Sequence, residues 1–360
     1  MYKRAMRWGV VCFMAMAMNG AATTNTFNNG GGDGFWSTPA NWIGGLPTAS
    51  DWAKHTSKGV VLTVDSAAYA ADVDVSHNST ATISVVTGGS LTVGDRMDVG
   101  NAGTTGTGKL VVDGGAVNVG NTMTFGRFGS RHGIGELNSG SITVGGTSTI
   151  GGNNATASGE LSISGGNYIN TSGIFNVGLS GEGTLNMNGG VLQLQEDTGV
   201  VWNALRIGSG SGNGTLNLNG GTILTGGMLM DQNAAGTATL NLLGGTLQVE
   251  GAFAAAVGMQ DDAQMAFDEG TFIWKGNQVN GFTDLVDGGF VSWENGMDAM
   301  LTDNWDASWT NGTSVLYADY NDANAGYTTV WAVAIPEPAS LGLIALMGGG
   351  MLFIRRLLQI

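Results

Sequence analysis

The sequence predicts an all-β fold: a right-handed parallel β-helix, or solenoid, with about 25 residues and three short strands in each coil. Aromatic-rich caps are expected at both ends, and a C-terminal apolar helix beyond them. Three observations carry this reading. The composition is that of β-structure with many tight turns: 63 glycines in 360 residues, only 4 prolines, and charged residues at 11%. A helical bundle needs far more Ala, Leu, Glu and Lys. Glycine pairs, or one glycine in register, fall at Gly89, Gly115, Gly140, Gly166, Gly190, Gly221, Gly245 and Gly270, in steps of 26, 25, 26, 24, 31, 24 and 25. Between them apolar and polar residues alternate with period 2, as in strands that bury one face.

The chain opens on Lys3-Arg4 and Arg7, then an apolar run from Val10 to Met18, then Gly20-Ala21-Ala22. A basic start, a short apolar stretch and small residues at the cut are the marks of a secretory signal peptide over residues 1–22, with cleavage after Ala22. Cys12, the one cysteine, lies inside it. The mature chain is therefore expected to form no disulfide and to use no thiol chemistry.

Residues 23–80 read as an N-terminal cap with the first strands, and residues 81–276 as the repeats. Each unit holds a segment such as Leu110-x-Val112 or Leu185-x-Met187, the glycine turn, a second segment such as Val117/Val119, and a third such as Met123-x-Phe125-Gly126. One coil has unpaired edges and an apolar inside, so stacking on like neighbours is required. The column Leu110, Leu137, Leu161, Leu185, Leu216, Leu240 is expected to fill the core. Roughly eight coils at about 4.8 Å make a rod near 40 Å. The long step contains residues 195–203, read as a loop extruded from one coil. Residues 277–334 form a C-terminal β-cap region rich in aromatics, among them Trp305 and Trp309.

Residues 335–358 have three parts: Pro336-Glu337-Pro338, an apolar segment from Ser340 to Ile354, and Arg355-Arg356. Fifteen residues span about 22 Å as a helix, short for a bilayer core of about 30 Å, so the segment suits a temporary anchor with a basic stop. This tail resembles the PEP-CTERM sorting signal. The flank Gly34-Phe35-Trp36…Pro39-Ala40-Asn41-Trp42 and the repeats resemble autotransporter-associated β-strand and PEP-CTERM surface-protein repeats of bacteria. The resemblance implies export through the Sec translocon and transient inner-membrane insertion. It also implies processing by an exosortase-like enzyme and a place on the cell surface or in the exopolysaccharide matrix of a Gram-negative-type bacterium. No β-barrel translocator of alternating ten-residue strands follows.

Removing both ends leaves eight basic against 27 acidic residues, a charge of about −19. That disfavours nucleic acid and anionic lipid, which reward clustered Lys and Arg. The expected role is structural or adhesive, without catalysis. The alternative is a polysaccharide lyase or hydrolase, or a glycan-binding module, on the same scaffold. Its candidate residues are Lys109, Glu136 and Glu160 as a ladder on successive coils, the basic turn with Arg127 and Arg131 as a dock for an anionic sugar, and the Trp305 and Trp309 rings as a sugar platform. Gly103-x4-Gly108-Lys109-Leu110 lacks the Ser/Thr of a phosphate-binding loop. No cofactor is expected. The acidic runs Asp261-Asp262 with Asp268-Glu269, and Asp319-x-Asn321-Asp322-x-Asn324, leave Ca²⁺ open, without the spacing of an EF-hand.

Overall fold

Alternation along each segment decides which side chains point inward, and the glycine turns decide where the chain bends. The computed structural model describes residues 22–76, 80–101, 106–194, 205–231, 235–251, 257–260 and 262–335. Within these the chain winds into a β-solenoid of about ten turns, with coils about 25 residues apart. A full turn lays one strand on each of three faces, and strands on a face pair in parallel from coil to coil. Face A runs from Val61–Val64 through Ala81–Val86 and Ser158–Ile163 to Val291–Trp293. Face B runs from residues 67–70 to Thr271–Lys275. Face C runs from Thr24–Phe27 to Val257–Met259.

The expected count of eight coils is too low. The first turns bend at Asp65-Ser66 and at Ala71, without the paired glycines that mark the later ones, yet they pair in the same ladder. Ten rungs at about 4.8 Å make the rod about 45 Å long.

On face A, Leu161, Leu185, Leu216 and Leu240 are direct Cα partners from coil to coil, and all are fully buried. Leu137 does not belong to that column. The residue between Leu110 and Leu161 is Gly135, while Leu137 lies between Val112 and Ile163. The missing volume is supplied from face C. There Phe125 stands in a column with Val99 and Ile150, and a Cβ at Gly135 would come within 2.5 Å of its ring. A larger residue on one face is matched by the smallest residue on another, which keeps the core at close-packed density.

The turn after face C is equally regular. Gly100, Gly126, Gly151, Gly178 and Gly208 all take φ between 65° and 77°. At Gly126 a Cβ would also run into the backbone carbonyl of Ser158 in the next coil, so both conformation and contact demand glycine.

Aromatic side chains cap the core at both ends. At the N-terminal end Trp36 and Trp42 pack edge-on at 4.7 Å over Phe27, and Trp42 Nε1 donates to the Trp36 carbonyl at 2.8 Å. Buried Asn41 accepts from Gly31 N–H and donates to Asp33 and to the Phe35 carbonyl. At the other end the helix Val279–Asp287 sets buried Phe282 against Phe267, Phe272 and Trp309. Face B continues beyond the last coil as an antiparallel sheet: Tyr327–Ala334, then Ser314–Tyr320, then Ala307–Thr310. Among the described residues no helix is long and apolar enough to cross a membrane. The expected C-terminal apolar helix, and the loop at 195–203, lie outside the described residues.

The glycine–phenylalanine exchange gives a direct test. Gly135→Leu should destabilise by about 1–3 kcal/mol through overpacking. Adding Phe125→Val, which restores the pattern of neighbouring coils, should return most of that loss in urea unfolding. Additive costs in the double variant would contradict the match between the two faces.

Candidate functional site

Among the described residues, several buried charged groups gather on the outer side of face C near the N-terminal coils, apart from Asp231 and Asp319. Asp74 and Asp98 are Cα partners on adjacent rungs, and both side chains are buried. Asp98 Oδ2 accepts from Arg127 Nη1 at 2.6 Å, and the Arg96 guanidinium forms an ion pair with it, Nε 2.9 Å away. Asp74 Oδ1 accepts from Asn101 Nδ2 at 2.7 Å. Arg131 has no exposed surface, and its Nη1 donates to the Ser76 carbonyl at 2.9 Å and to Ser76 Oγ at 2.7 Å. The expected solvent-facing basic patch is therefore corrected: Arg131 points inward and ties its turn to a coil 55 residues earlier, while Arg127 is held by Asp98. The network fixes turns onto a face; it does not present a pair of carboxylates to a substrate groove.

The expected Lys109–Glu136–Glu160 ladder is also corrected. Lys109, Ile134 and Glu160 share one register position, and Glu136 sits two residues further on, between Val111 and Ser162. Lys109 Nζ still reaches Glu136 Oε1 diagonally at 2.8 Å. Glu160 instead accepts from Asn186 Nδ2 at 3.0 Å, at the head of an amide ladder in which Asn217 donates to Asn186 (2.9 Å) and Asn241 to Asn217 (2.8 Å). Stacked amides of this kind reinforce the backbone ladder beneath them.

Two further candidates take up defined places. Trp309 packs inward on Phe282 at 5.9 Å and is part of the cap. Trp305 is 41% exposed and lies edge-on to Tyr317 at 4.9 Å, which in turn stacks on buried Trp331 at 5.6 Å. Asp319 is buried and accepts the N–H groups of Asp322 (3.0 Å) and Ala323 (2.6 Å), capping the turn that holds Asn321 at φ 84°. Among the described residues no group of three or more His, Asp or Glu is gathered where a metal ion would sit; Asp261 lies outside them. His132 Nδ1 faces Ser158 Oγ at 2.9 Å. Pro336, Glu337, Pro338, Arg355 and Arg356 lie outside the described residues, and Ala22 is exposed at their N-terminal limit.

From the sequence, Asp98 reads as one of several scattered acids. The signal for its role is present in Val73-Asp74-Val75 and Met97-Asp98-Val99, where an acid recurs between two inward residues of face C. Comparison with known proteins adds no further assignment: no family model, no curated protein and no solved structure matches this chain.

Two buried groups give opposite pH responses. Burial pushes the Asp98 carboxyl up to about 6, against the pull of Arg127 and Arg96. Burial pulls His55, whose Nε2 donates to the Val60 carbonyl at 2.9 Å, down to about 4. A raised acid favours the fold fully below about 4 and loses that contribution as pH rises through 6. A depressed histidine favours the fold above about 6.5 and loses it as pH falls through 4. Each step is worth about 3 kcal/mol. Asp98→Asn removes the first only. Between pH 7 and pH 4 the unfolding free energy of the variant should therefore fall about 3 kcal/mol further than that of the wild type. Parallel pH profiles in chemical denaturation would refute the assignment.

Proposed function

We propose that this chain is an exported, non-catalytic β-solenoid protein with a structural or adhesive role at the bacterial surface or in an exopolysaccharide matrix. The observation that carries the reading is how the solenoid uses its polar side chains. Along face A they bond to one another from coil to coil, and under the turns of face C they hold the chain to itself. Such a surface is built for regularity and length. The acidic balance of −15 over the full chain suits a soluble body in a charged extracellular setting.

The route to that place is read from the sequence: the signal peptide at residues 1–22, then Pro336-Glu337-Pro338, the apolar segment and Arg355-Arg356. On this reading the Sec translocon exports the chain, the tail anchors it briefly in the inner membrane, and an exosortase-type enzyme releases it. The coil is right-handed, following the general hand of parallel β crossovers. A glycan-binding role keeps one specific point of support, the exposed Trp305 ring braced by Tyr317. An aromatic face of this kind suits the apolar side of a sugar ring.

The sorting route is tested by fractionating cells that express the wild-type chain or a Glu337→Ala, Arg355→Ala, Arg356→Ala variant. The wild type should be recovered from the outer surface or medium in a shortened form. The variant should stay full-length in the membrane fraction. Identical distribution and size of the two would overturn the proposed route.

A further inference from the structure

Among the described residues, face B alone of the three ends in an unpaired strand at both extremities. At the N-terminal end face A is covered by the Phe35–Thr63 bridge and face C by the short strand Trp42–Ile43. Residues 67–70 of face B pair only with residues 90–93 on their inner side. At the far end, the last strand of the continued sheet is Ala307–Thr310, which pairs only with Ser314–Tyr320. Natural edge strands are usually blocked by a charge, a proline or a covering segment. Ala67-Ala68-Tyr69-Ala70 and Ala307-Ser308-Trp309-Thr310 contain neither charge nor proline.

We propose that these two edges dock on each other in successive copies of the chain, adding strand to strand and joining molecules head to tail into a filament. The occupant of each edge is a second copy, and four features favour it. The strands match in length, four residues each. Three antiparallel steps from Thr271–Lys275 leave Ala307–Thr310 running against the solenoid strands, so its union with residues 67–70 is an antiparallel pair, the more stable kind. The side-chain alternation also fits. Small buried Ala68 and Ala70 lie on the inner side, where Ala307 and Trp309 continue the core, and Tyr69 lies on the outer side with Ser308. Tyr69, 49% exposed, would thereby extend the aromatic row Trp331–Tyr317–Trp305, whose outermost ring is itself 41% exposed.

Residues 277–335 hold seven Asp and one Glu and no Lys, Arg or His, so a contact between two C-terminal ends is the most strongly opposed by charge. A contact between unlike ends has no closing rotation built into it and propagates as an open filament. The proposal rests on the geometry of the sheet and holds whether or not the chain is exported.

The test uses the full chain in mild detergent, which solvates its terminal apolar segments, with mass followed by sedimentation and light scattering. Tyr69→Lys and Ser308→Lys each place a charge on one edge at an exposed position, and circular dichroism checks that both variants keep the wild-type β-signal. The wild type should rise several-fold in mean mass with concentration. Each variant alone should remain monomeric, and an equimolar mixture should form dimers and nothing larger, because one free edge of each kind remains. A wild type that stays monomeric would overturn the proposal. So would Ser308→Lys associating as the wild type does (a head-to-head contact), or association that survives in both variants.

Discussion

A coil of this solenoid cannot satisfy its own backbone. Its strands lie on different faces and do not pair with each other, so between the caps the described ladders run from each coil to the coil before or after. The same neighbours supply the burial, since the inward leucines of one coil lie against those of the next. Hydrogen bonding and hydrophobic burial therefore share one requirement, equivalent positions one coil apart. The left-handed glycines after face C, the amide ladder on face A and the aromatic caps over the core are consequences of meeting it. It also explains the caps: the first and last coils lack a neighbour, and Trp36, Trp42 and Phe282 take the place of one.

That requirement makes much of the architecture readable. A period near 25 and period-2 alternation inside it suffice to assign three strands per coil and to align Leu161 with Leu185 and Leu216. Pattern and structure part where one coil solves the packing differently. In Gly133-Ile134-Gly135-Glu136-Leu137 the nearest leucine is Leu137, although the equivalent position is Gly135. The deciding partner, Phe125, lies on another face, and volume exchange between faces leaves no mark in a one-dimensional pattern. The same two-residue slip puts Glu136 beside Glu160 in the sequence-based alignment. The early coils escape a count of glycine pairs because they turn without them.

The candidate site is less legible, for a related reason. On a strand the residue between two inward ones points outward, and from sequence an outward Asp, Thr or Arg reads as solvated. On face C, Asn101 and Arg127 reach back over that outer side to Asp74 and Asp98, which are buried. Whether an outward residue is covered depends on where the turns lie, which alternation does not encode. Arg127 and Arg131 hold turns of this molecule in place, and Tyr69 and Trp305 stand exposed near opposite ends of face B and its extension.

Register between coils is the point on which everything else turns, and engineered disulfides measure it directly. Cys12 is the chain's one cysteine, so paired cysteines can be read without interference once Cys12→Ser is made. Positions 186 and 217 face outward as direct Cα partners on adjacent rungs, about 4.8 Å apart, within the span a disulfide bridges. Asn186→Cys with Asn217→Cys should oxidise to a single intramolecular bond in the folded chain, whereas Asn186→Cys with Asn213→Cys, four residues out of register, should remain reduced. A bond in the second pair and none in the first would contradict the stacked-coil account.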